Sequence, residues 1–581
     1  MSKNKGNTSS ANQGSLKGRL ILVSVLFGLF GAGIVGRLFS LQVMQHDDLV
    51  SRSEKQYQRT VEIHYGRGSV FDRNMNKLAT NIEAESVYAT PQEVVDKKRT
   101  ARVLAKALNL NHKSIYKKLN SKRHFVWLKR KAPPAEIAKL RKSSLSGINY
   151  ISEHKRFFPK RELASGIVGF AGLDNQGLAG IEHQYDSTLK GNVVRTVMEK
   201  DARGKLVQFN GQPSGQVSGS RGVVLAIDEV IQFFTEHHLK KQVEKHKAKS
   251  GVAIVMNPNT GEVYAIANAP QYNPNNYSAY KSSRWLNRAV SSSYEPGSIF
   301  KPIVAAAAID AGVARPHDIF FCENGKFKVG NAKVGEAVNH KFGWLTLQNI
   351  IVKSSNIGSI KIARQLGKRS YYDYIRKFGF GQKTGIGLPG EAGGQLKELS
   401  AWDPMSLASI SFGQEIGVTP IQMTSAISAI ANGGTLMVPR ITRAILKDGQ
   451  IEKRFEPKIV RRVISVQSSR QVVDILKHVV KDGTGKNAAV KGYEVAGKTG
   501  TAQKYDPKTR SYSKTAYVSS FIGFAPADAA KVAILVMIDT PQGVHYGGSV
   551  AAPVFSNIAR ETLRYLNVPS NDQLIYILDR A

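Results

Sequence analysis

The chain has 581 residues, 42% of them hydrophobic and 22% charged, enough length and apolar content for two or three domains with complete cores. A formal net charge of +38 favours polyanionic surroundings: nucleic acid, anionic lipid or an anionic cell-envelope polymer. The single cysteine, Cys322, excludes an internal disulfide and a cysteine-based metal site.

An apolar stretch near the N-terminus predicts a membrane anchor. Residues 20–44 contain one charge, Arg37, and exceed the roughly 20 residues that a spanning helix needs. The residues before them carry basic side chains and no acid, which predicts a cytoplasmic tail over 1–19. A signal peptide cleaved near residues 31–33 is the alternative, but the apolar pattern continues beyond that point. We therefore predict an uncleaved anchor, with the rest of the chain outside the cytoplasmic membrane.

Residues 45–220 mix short strands with polar turns and predict a β-rich, non-catalytic domain. Between Lys97 and Arg161 the chain has 20 lysines and arginines against two acids, Glu136 and Glu153. This basic block is either a solvated face or a surface that lies against anionic lipid headgroups or glycan precursors. No zinc-finger spacing or RNA-binding aromatic pattern accompanies it, so we predict no nucleic-acid partner. Polar residues and glycines over 210–220 predict a linker.

Residues 221–565 predict an α+β domain, an antiparallel sheet with helices packed on it. The segment 223–246 is typical of a strand running into a helix. Two hairpins, 251–256 with 262–267 and 518–525 with 531–538, form the two ends of the sheet, and 490–504 adds a strand pair or one long strand. Helices are expected over 299–311, 346–366, 404–412, 420–432 and 467–481, and a tail over 566–581.

The stretch YEPGSIFKP (294–302) places Ser298 and Lys301 three residues apart, on one face of a helix. A serine needs a neighbouring base to act as a nucleophile, and Lys301 becomes a base only if burial or a second cation makes it neutral. The pattern alone is weak, because Ser-x-x-Lys occurs at least six more times and Ser298 could simply cap a helix.

Two further motifs follow in order. Ser354 and Asn356, in KSSN at a helix start, offer a hydroxyl for proton relay and an amide for a peptide carbonyl, although such a motif alone is more typical of a helix cap. Lys498, Thr499, Gly500 and Thr501 lie on the strand before the last hairpin. They supply a cation and hydroxyls suited to a carboxylate, and Gly500 permits close approach.

Two other matches are interpreted as coincidental. GYEVAGKT (492–499) fits the phosphate-loop pattern, but its interior is strand-forming and no ATP is supplied outside the membrane. A second Lys-Thr-Gly at 383–385 lies in a glycine-rich loop and is predicted to be structural.

Taken in order, the three motifs resemble those of the penicillin-binding protein and serine β-lactamase superfamily. The anchor, RGSVFDRN (67–74), YNPNN (272–276) and YGGSVAAPVF (546–555) extend the resemblance over 20–565 to class B penicillin-binding proteins. The length and the single anchor are most similar to the division-specific FtsI type. Met75 stands where that family usually has glycine, which questions a local turn.

The resemblance implies a peptidoglycan D,D-transpeptidase. Ser298 would attack the penultimate D-Ala carbonyl of a stem pentapeptide, and an amine of a second stem peptide would resolve the ester. Lys301 would be the general base, Ser354 the proton carrier to the leaving amine, and Asn356 would position the donor peptide. β-Lactams would trap Ser298, and no metal or cofactor is implied.

The third motif would serve binding: Lys498 would supply positive potential, Thr499 and Thr501 would bind the terminal carboxylate, and Gly500 would leave room for it. The N–H groups of Ser298 and Thr501 would form the oxyanion hole. The pedestal-like N-terminal domain would dock partners, among them a glycan polymerase of the SEDS family and other divisome membrane proteins.

Several alternatives stay open. A D,D-carboxypeptidase or a β-lactamase would use water as acceptor, but such enzymes are typically smaller and lack the N-terminal stretches. An elongation-type class B transpeptidase is the nearest alternative to a septal one, and a non-catalytic envelope scaffold is a third. Because binding alone would not need all of these residues together, we predict an enzyme rather than a scaffold. The resemblance to the FtsI type implies septal cross-linking by a single-pass inner-membrane protein with its catalytic domain in the periplasm.

Overall fold

The computed structural model describes residues 11–64, 66–191, 193–199, 221–337, 340–506, 509 and 511–571. The chain divides into two compact units: residues 1–65 with 192–218, and residues 66–191 with 219–581. The predicted linker over 210–220 lies outside the described residues, as do residues 1–10 of the predicted cytoplasmic tail.

The first part of the chain combines strands with helices. In chain order its elements are α1 (Ala11–Phe39), α2 (His46–Tyr57), β1 (Gln58–His64), β2 (Val70–Phe71), β3 (Lys77–Ala89), α3 (Lys97–Leu108), α4 (His112–Leu119), β4 (Val126–Ala132), α5 (Pro134–Arg141), β5 (Ile148–Phe157), α6 (Ser165–Val168), α7 (Gly180–Gln184), α8 (Asp186–Leu189) and β6 (Val193–Glu199).

The second part begins at residue 221. Its elements are β7 (Arg221–Leu225), α9 (Glu229–Lys245), β8 (Ser250–Met256), β9 (Val263–Ala269), α10 (Arg288–Ser291), α11 (Lys301–Asp310), β10 (Ile319–Phe321), β11 (Lys326–Val329), β12 (Ala332–Gly335), β13 (Trp344–Thr346), α12 (Leu347–Lys353), α13 (Asn356–Leu366), α14 (Lys368–Lys377), α15 (Pro404–Ser411), α16 (Pro420–Ala431), β14 (Thr435–Met437), β15 (Thr442–Lys447), β16 (Gln450–Arg454), β17 (Ile459–Arg462), α17 (Val466–Lys481), β18 (Ala496–Asp506), β19 (Ser511–Ala525), β20 (Val532–Asp539), α18 (Gly547–Val550) and α19 (Ala552–Tyr565).

The first unit contains the apolar helix and a two-stranded sheet. Gly18–Met44 is a helix of 27 residues, and within the described residues it is the one helix long and apolar enough to cross a membrane. It corresponds to the predicted anchor over 20–44. Strands β1 and β6 pair antiparallel.

The central sheet of the second unit is five-stranded and antiparallel, in the order β18-β19-β20-β8-β9. Both predicted hairpins are confirmed, and 490–504 contributes the one long strand β18. The residues of β8 and β9 are buried throughout, because helices cover both faces. Alternate residues of β8 enter two separate cores, Ile254 on the side of α11 and Val255 on the side of α9 and α19.

A seven-stranded sheet joins residues 66–191, here called the pedestal, to the second part of the chain. Strand β7 pairs parallel with β2 and antiparallel with β15, so the strand order β16-β15-β7-β2-β3-β4, with β5 also paired to β3, crosses from one region to the other. The pedestal also contains the helices α3, α4 and α5, which carry much of the basic block. It therefore has more helix than the β-rich domain that the sequence predicted.

The helix expected over 346–366 is two helices, α12 and α13. Ser354 ends α12 in the left-handed conformation, with φ 62°, and Ser355 caps α13 by accepting a hydrogen bond from Gly358 N at 2.9 Å. The break places the second motif at a helix start, as expected, and turns Ser354 toward α11.

Candidate active site

The serine of the first motif stands at the start of a buried helix. Gly297–Phe300 form one 3-10 turn that continues into α11. Gly297 has a φ of 57°, and a Cβ at this position would lie 3.0 Å from Ala502 Cβ. The tight turn therefore sets Ser298 directly beside β18.

Ser298 opens into a cleft of about 1070 Å³, which residues from all three motifs line. Ser354, Asn356, Thr499 and Thr501 share this lining, although up to 203 positions separate them from Ser298 in the sequence. The predicted site residues are thus brought together in one place.

Lys301 is fully buried and bonded to the second motif. Its Nζ donates to Ser354 O at 2.6 Å, Ser354 Oγ at 3.2 Å and Asn356 Oδ1 at 2.9 Å. These acceptors use the three donors of an ammonium group, and all belong to the second motif rather than to Ser298. Burial lowers the pKa of Lys301 to about 7, against a smaller opposing effect of Glu336.

Lys498 approaches the same hydroxyl from the sheet. Its Nζ donates to Ser354 Oγ at 3.0 Å and to Thr499 O at 3.1 Å. Burial, and then the nearby charge of Lys301, lowers the pKa of Lys498 well below its ordinary value. Ser354 Oγ therefore accepts from both lysines, so its own hydrogen is free to point into the cleft.

The remaining residues of the third motif shape the wall of the cleft. Thr501 Oγ1 accepts from Gly547 N at 2.9 Å, and Thr499 Oγ1 lies 2.6 Å from Thr484 Oγ1. A Cβ on Gly500 would lie 2.9 Å from Ile299 Cγ2 and 2.4 Å from Ser520 Oγ. The glycine is what allows β18 to lie against the turn that carries Ser298.

Sequence reasoning missed several groups around this cleft. Glu336 comes from a loop 18 residues before Ser354 and bonds the backbone of the second motif. Tyr517 and His545 stack with ring centroids 4.0 Å apart and form an aromatic wall with Tyr546. The YGG motif hinted at Tyr546, but no sequence pattern pointed to Glu336.

The two matches interpreted as coincidental are in different settings. Lys498 of the phosphate-loop match lies inside strand β18, not on a loop that leads into a helix. Thr384 of the second Lys-Thr-Gly lies in an irregular loop and its N–H donates to Glu391 Oε1 at 2.6 Å, outside the cleft lining.

A serine beside a buried lysine, a hydroxyl shared by two lysines, and an antiparallel sheet between helical layers define a serine acyltransferase of the penicillin-binding type. The comparisons agree. The sequence-family model of the penicillin binding protein transpeptidase domain matches residues 251–560. The family model of the penicillin-binding protein dimerisation domain matches residues 62–223. The chain belongs to the family of class B penicillin-binding protein transpeptidases.

Similar proteins extend over nearly the whole chain. Stage V sporulation protein D of Bacillus subtilis (strain 168) is 35% identical, over 96% of this chain and 88% of that protein. Peptidoglycan D,D-transpeptidase FtsI of Escherichia coli (strain K12) is 32% identical, over 97% and 94%. Penicillin-binding protein 3 of Mycobacterium tuberculosis, solved in complex with aztreonam, is 30% identical with a TM-score of 0.68, over 88% of this chain and 98% of that one.

Proposed function

We propose that the protein is a peptidoglycan D,D-transpeptidase that cross-links stem peptides through an acyl-enzyme on Ser298. The observation that carries this proposal is Ser354 Oγ, which lies between Lys301 and Lys498 at the edge of the cleft that Ser298 lines. Such an arrangement connects a nucleophile, a base and a proton path, which a binding protein would not need.

Lys301 is the proposed general base. With a pKa of about 7, close to half of the molecules hold it neutral at neutral pH, near the optimum for base catalysis. Loss of one proton frees a lone pair on Nζ, which can then turn from Asn356 or Ser354 to the Ser298 hydroxyl.

Ser354 is the proposed relay to the leaving group. The proton taken by Lys301 passes to Ser354 Oγ, and the hydroxyl that points into the cleft delivers it to the amine of the departing D-Ala. Lys498 donates to the same oxygen and adds positive potential when protonated. Asn356 keeps its Nδ2 donor on Gly335 O at 3.1 Å, which orients the amide for a donor peptide.

Thr499 and Thr501 are the proposed partners of the terminal carboxylate. Both line the cleft and both follow Lys498 on β18, so their hydroxyls meet a ligand that lies along this strand. The N–H groups of Ser298 and Thr501 are the proposed oxyanion donors. Boundaries at 45, 221 and 566 are proposed for the non-catalytic domain, the transpeptidase domain and the tail.

The test of the acyl-enzyme uses the full-length chain in detergent with benzylpenicillin. Intact mass should show one covalent adduct per chain, and peptide mapping should place it on Ser298. Ser298→Ala should give none. Ser291→Ala is the matched control, because Ser291 donates to Asn287 O outside the cleft lining, and it should be labelled like the wild type. Labelling that persists in Ser298→Ala would refute the assignment.

We further propose that the enzyme serves the septum, on the strength of its similarity to FtsI. Depletion should then give filaments with unfinished septa, whereas rounded cells would indicate elongation. A SEDS-family polymerase and other divisome membrane proteins are the proposed partners, to be tested by co-purification from membranes.

The proposed orientation puts the N-terminus in the cytoplasm and the catalytic domain in the periplasm. Protease added to intact spheroplasts should digest everything beyond about residue 45. Protection of the cleft residues would contradict the orientation.

The basic block is proposed to lie against anionic lipid headgroups. Lys129, Arg130 and Lys131 are poor probes of this, since Lys129 pairs with Glu136 and Arg130 with Glu153. Lys98, Arg102 and Lys106 follow one another at four-residue spacing on α3 and are exposed. Reversal of these three charges should weaken liposome binding at low salt, and equal binding would refute the proposal.

A further inference from the structure

Glu336 is a carboxylate buried beside the proposed catalytic groups. It follows β12 directly and is 8% exposed. Its Oε2 accepts from Asn356 N at 2.6 Å, and its Oε1 accepts from Ser355 Oγ and, at 3.4 Å, from Ile357 N. Among the described residues, the hydrogen bonds on the carboxylate therefore come from the second motif and the start of its helix.

The hydrogen bonds of Asn356 connect this carboxylate to Lys301. The backbone N–H of Asn356 donates to Glu336, and its side-chain Oδ1 accepts from Lys301 Nζ at 2.9 Å. Gly335, the residue before Glu336, makes a further contact with Asn356: its carbonyl oxygen accepts a hydrogen bond from Asn356 Nδ2 at 3.1 Å. The end of β12 thus holds both the main chain and the side chain of Asn356.

Glu336 does more than complete the helix cap. Ser355 accepts from Gly358 N, and Glu336 accepts from the N–H groups of Asn356 and Ile357, which a helix start would otherwise leave without a partner. A carboxylate buried near Lys301 also favours the protonated form of that lysine. The charged group that acts on Lys301 is Glu336 from the loop, and the charge of Lys301 in turn lowers the pKa of Lys498 on β18, while α12 and α13 present the neutral groups of Ser354 and Asn356.

We propose that Glu336 is a positioning residue for acylation, which fixes Asn356 against Lys301 and sets the pH range in which the base works. This inference rests on the proposed function of Ser298 and Lys301. The negative charge favours protonated Lys301 and opposes the effect of burial. Without it the base would deprotonate at lower pH, and the amide groups of the second motif would lose their acceptor.

The experiment is the acylation rate of the full-length chain in detergent with a fluorescent penicillin, measured from pH 5 to 9. The wild-type rate should rise with a midpoint near pH 7, the value to which burial lowers the pKa of Lys301. Glu336→Gln keeps the shape and removes the charge. Its midpoint should fall by about one pH unit, and its plateau rate should fall about tenfold because Asn356 is held less firmly.

Two further variants make the result specific. Glu323→Gln removes a carboxylate that lies just before β11 and pairs with Lys361, and it should leave the midpoint unchanged. Glu336→Asp keeps the charge but shortens the side chain, so the wild-type midpoint should return while the plateau rate stays low. This variant also decides the question if Glu336→Gln does not fold.

A wild-type midpoint in Glu336→Gln, or a wild-type plateau rate in Glu336→Asp, would overturn the inference and leave Glu336 a structural cap. Failure of the proposed function looks different. The wild-type chain would then not be acylated at any pH, or Ser298→Ala would be acylated as well.

Discussion

The pedestal and the cleft each contain a pair of neighbouring buried basic side chains, but the two pairs have different hydrogen-bond partners. In the pedestal, Arg67 and Arg156 share the carboxylate of Glu182, with Arg156 Nε 2.7 Å from Oε1, and Arg67 Nη1 also donates to Asp186 at 2.6 Å. In the cleft, within the part of the chain that the structure describes, the hydrogen bonds of Lys301 and Lys498 go to hydroxyl, carbonyl and amide oxygens.

The difference separates a structural site from a reactive one. A guanidinium keeps its proton under all physiological conditions, and paired with a buried carboxylate it fixes the strands and loops around it. Burial disfavours the charged form of a lysine that is surrounded by neutral acceptors, and so lowers its pKa. The arginines are therefore suited to hold the pedestal together, and the lysines to exchange protons.

The largest effect is expected for Lys301→Arg. An arginine keeps the positive charge but does not act as a base, so the acylation rate of the protein that remains folded should fall about 10³-fold. Because a larger, permanently charged side chain enters a fully buried site, the unfolding midpoint should fall as well. Lys361→Arg, at a lysine paired with Glu323, is the matched control and should retain wild-type acylation. A rate within tenfold of wild type for Lys301→Arg would remove Lys301 from the base role.

Glu182→Gln tests the opposite half of the comparison. It leaves Arg67 and Arg156 without their shared buried carboxylate, at a cost of about 3–5 kcal/mol, so the thermal unfolding midpoint should fall by several degrees. Acylation of the protein that remains folded should be unaffected. Glu83→Gln, at an exposed carboxylate on β3, should leave the midpoint unchanged, and an equal fall there would show a general charge effect.

Gly500→Ala tests the contact between β18 and the turn of Ser298. The new Cβ would meet Ser520 Oγ at 2.4 Å and Ile299 Cγ2 at 2.9 Å, so strand and turn must separate. We expect about a tenfold loss of acylation rate. Gly393→Ala, where the nearest atom would be 3.6 Å away, should have no effect; equal losses in both would point to a cause other than this contact.

The smallest effect is expected at Met75, in the turn after β2. Its φ is 67°, a conformation that costs a residue with a side chain roughly 1 kcal/mol, and its side chain is 49% exposed. Met75→Gly should raise the unfolding midpoint by a degree or two. Met75→Ala keeps the Cβ and should not; a gain in both would mean that backbone strain is not the reason.

The sequence predicted the parts of the site that depend on local spacing. Ser298 and Lys301 one helical turn apart, Ser354 and Asn356 at a helix start, and Lys498 on a strand all follow from periodicity and turn residues. The two hairpins and most helices of 221–565 were found for the same reason. The positive φ of Met75 agrees with the glycine that the family usually has there.

The parts that depend on long-range packing were not predictable in this way. The break of 346–366 at Ser354 depends on α11 and β18, which supply the two lysines around its hydroxyl. Glu336 enters the site from the loop that follows β12, whose sequence has no distinctive spacing. The seven-stranded sheet pairs β2 with β7, which lies more than 150 residues later in the chain. Strand β7 in turn pairs with β15, which lies later still.

The most direct test of the central claim is the pH dependence of acylation of the wild-type, full-length chain by benzylpenicillin. A buried Lys301 whose hydrogen bonds go to neutral oxygens predicts a rate that rises with pH and is half-maximal near pH 7. The rate rises around this pH because Lys301 is neutral and can act as a base above its lowered pKa, and is protonated below it. A rate that rises only toward pH 10, where an ordinary lysine titrates, would contradict the account.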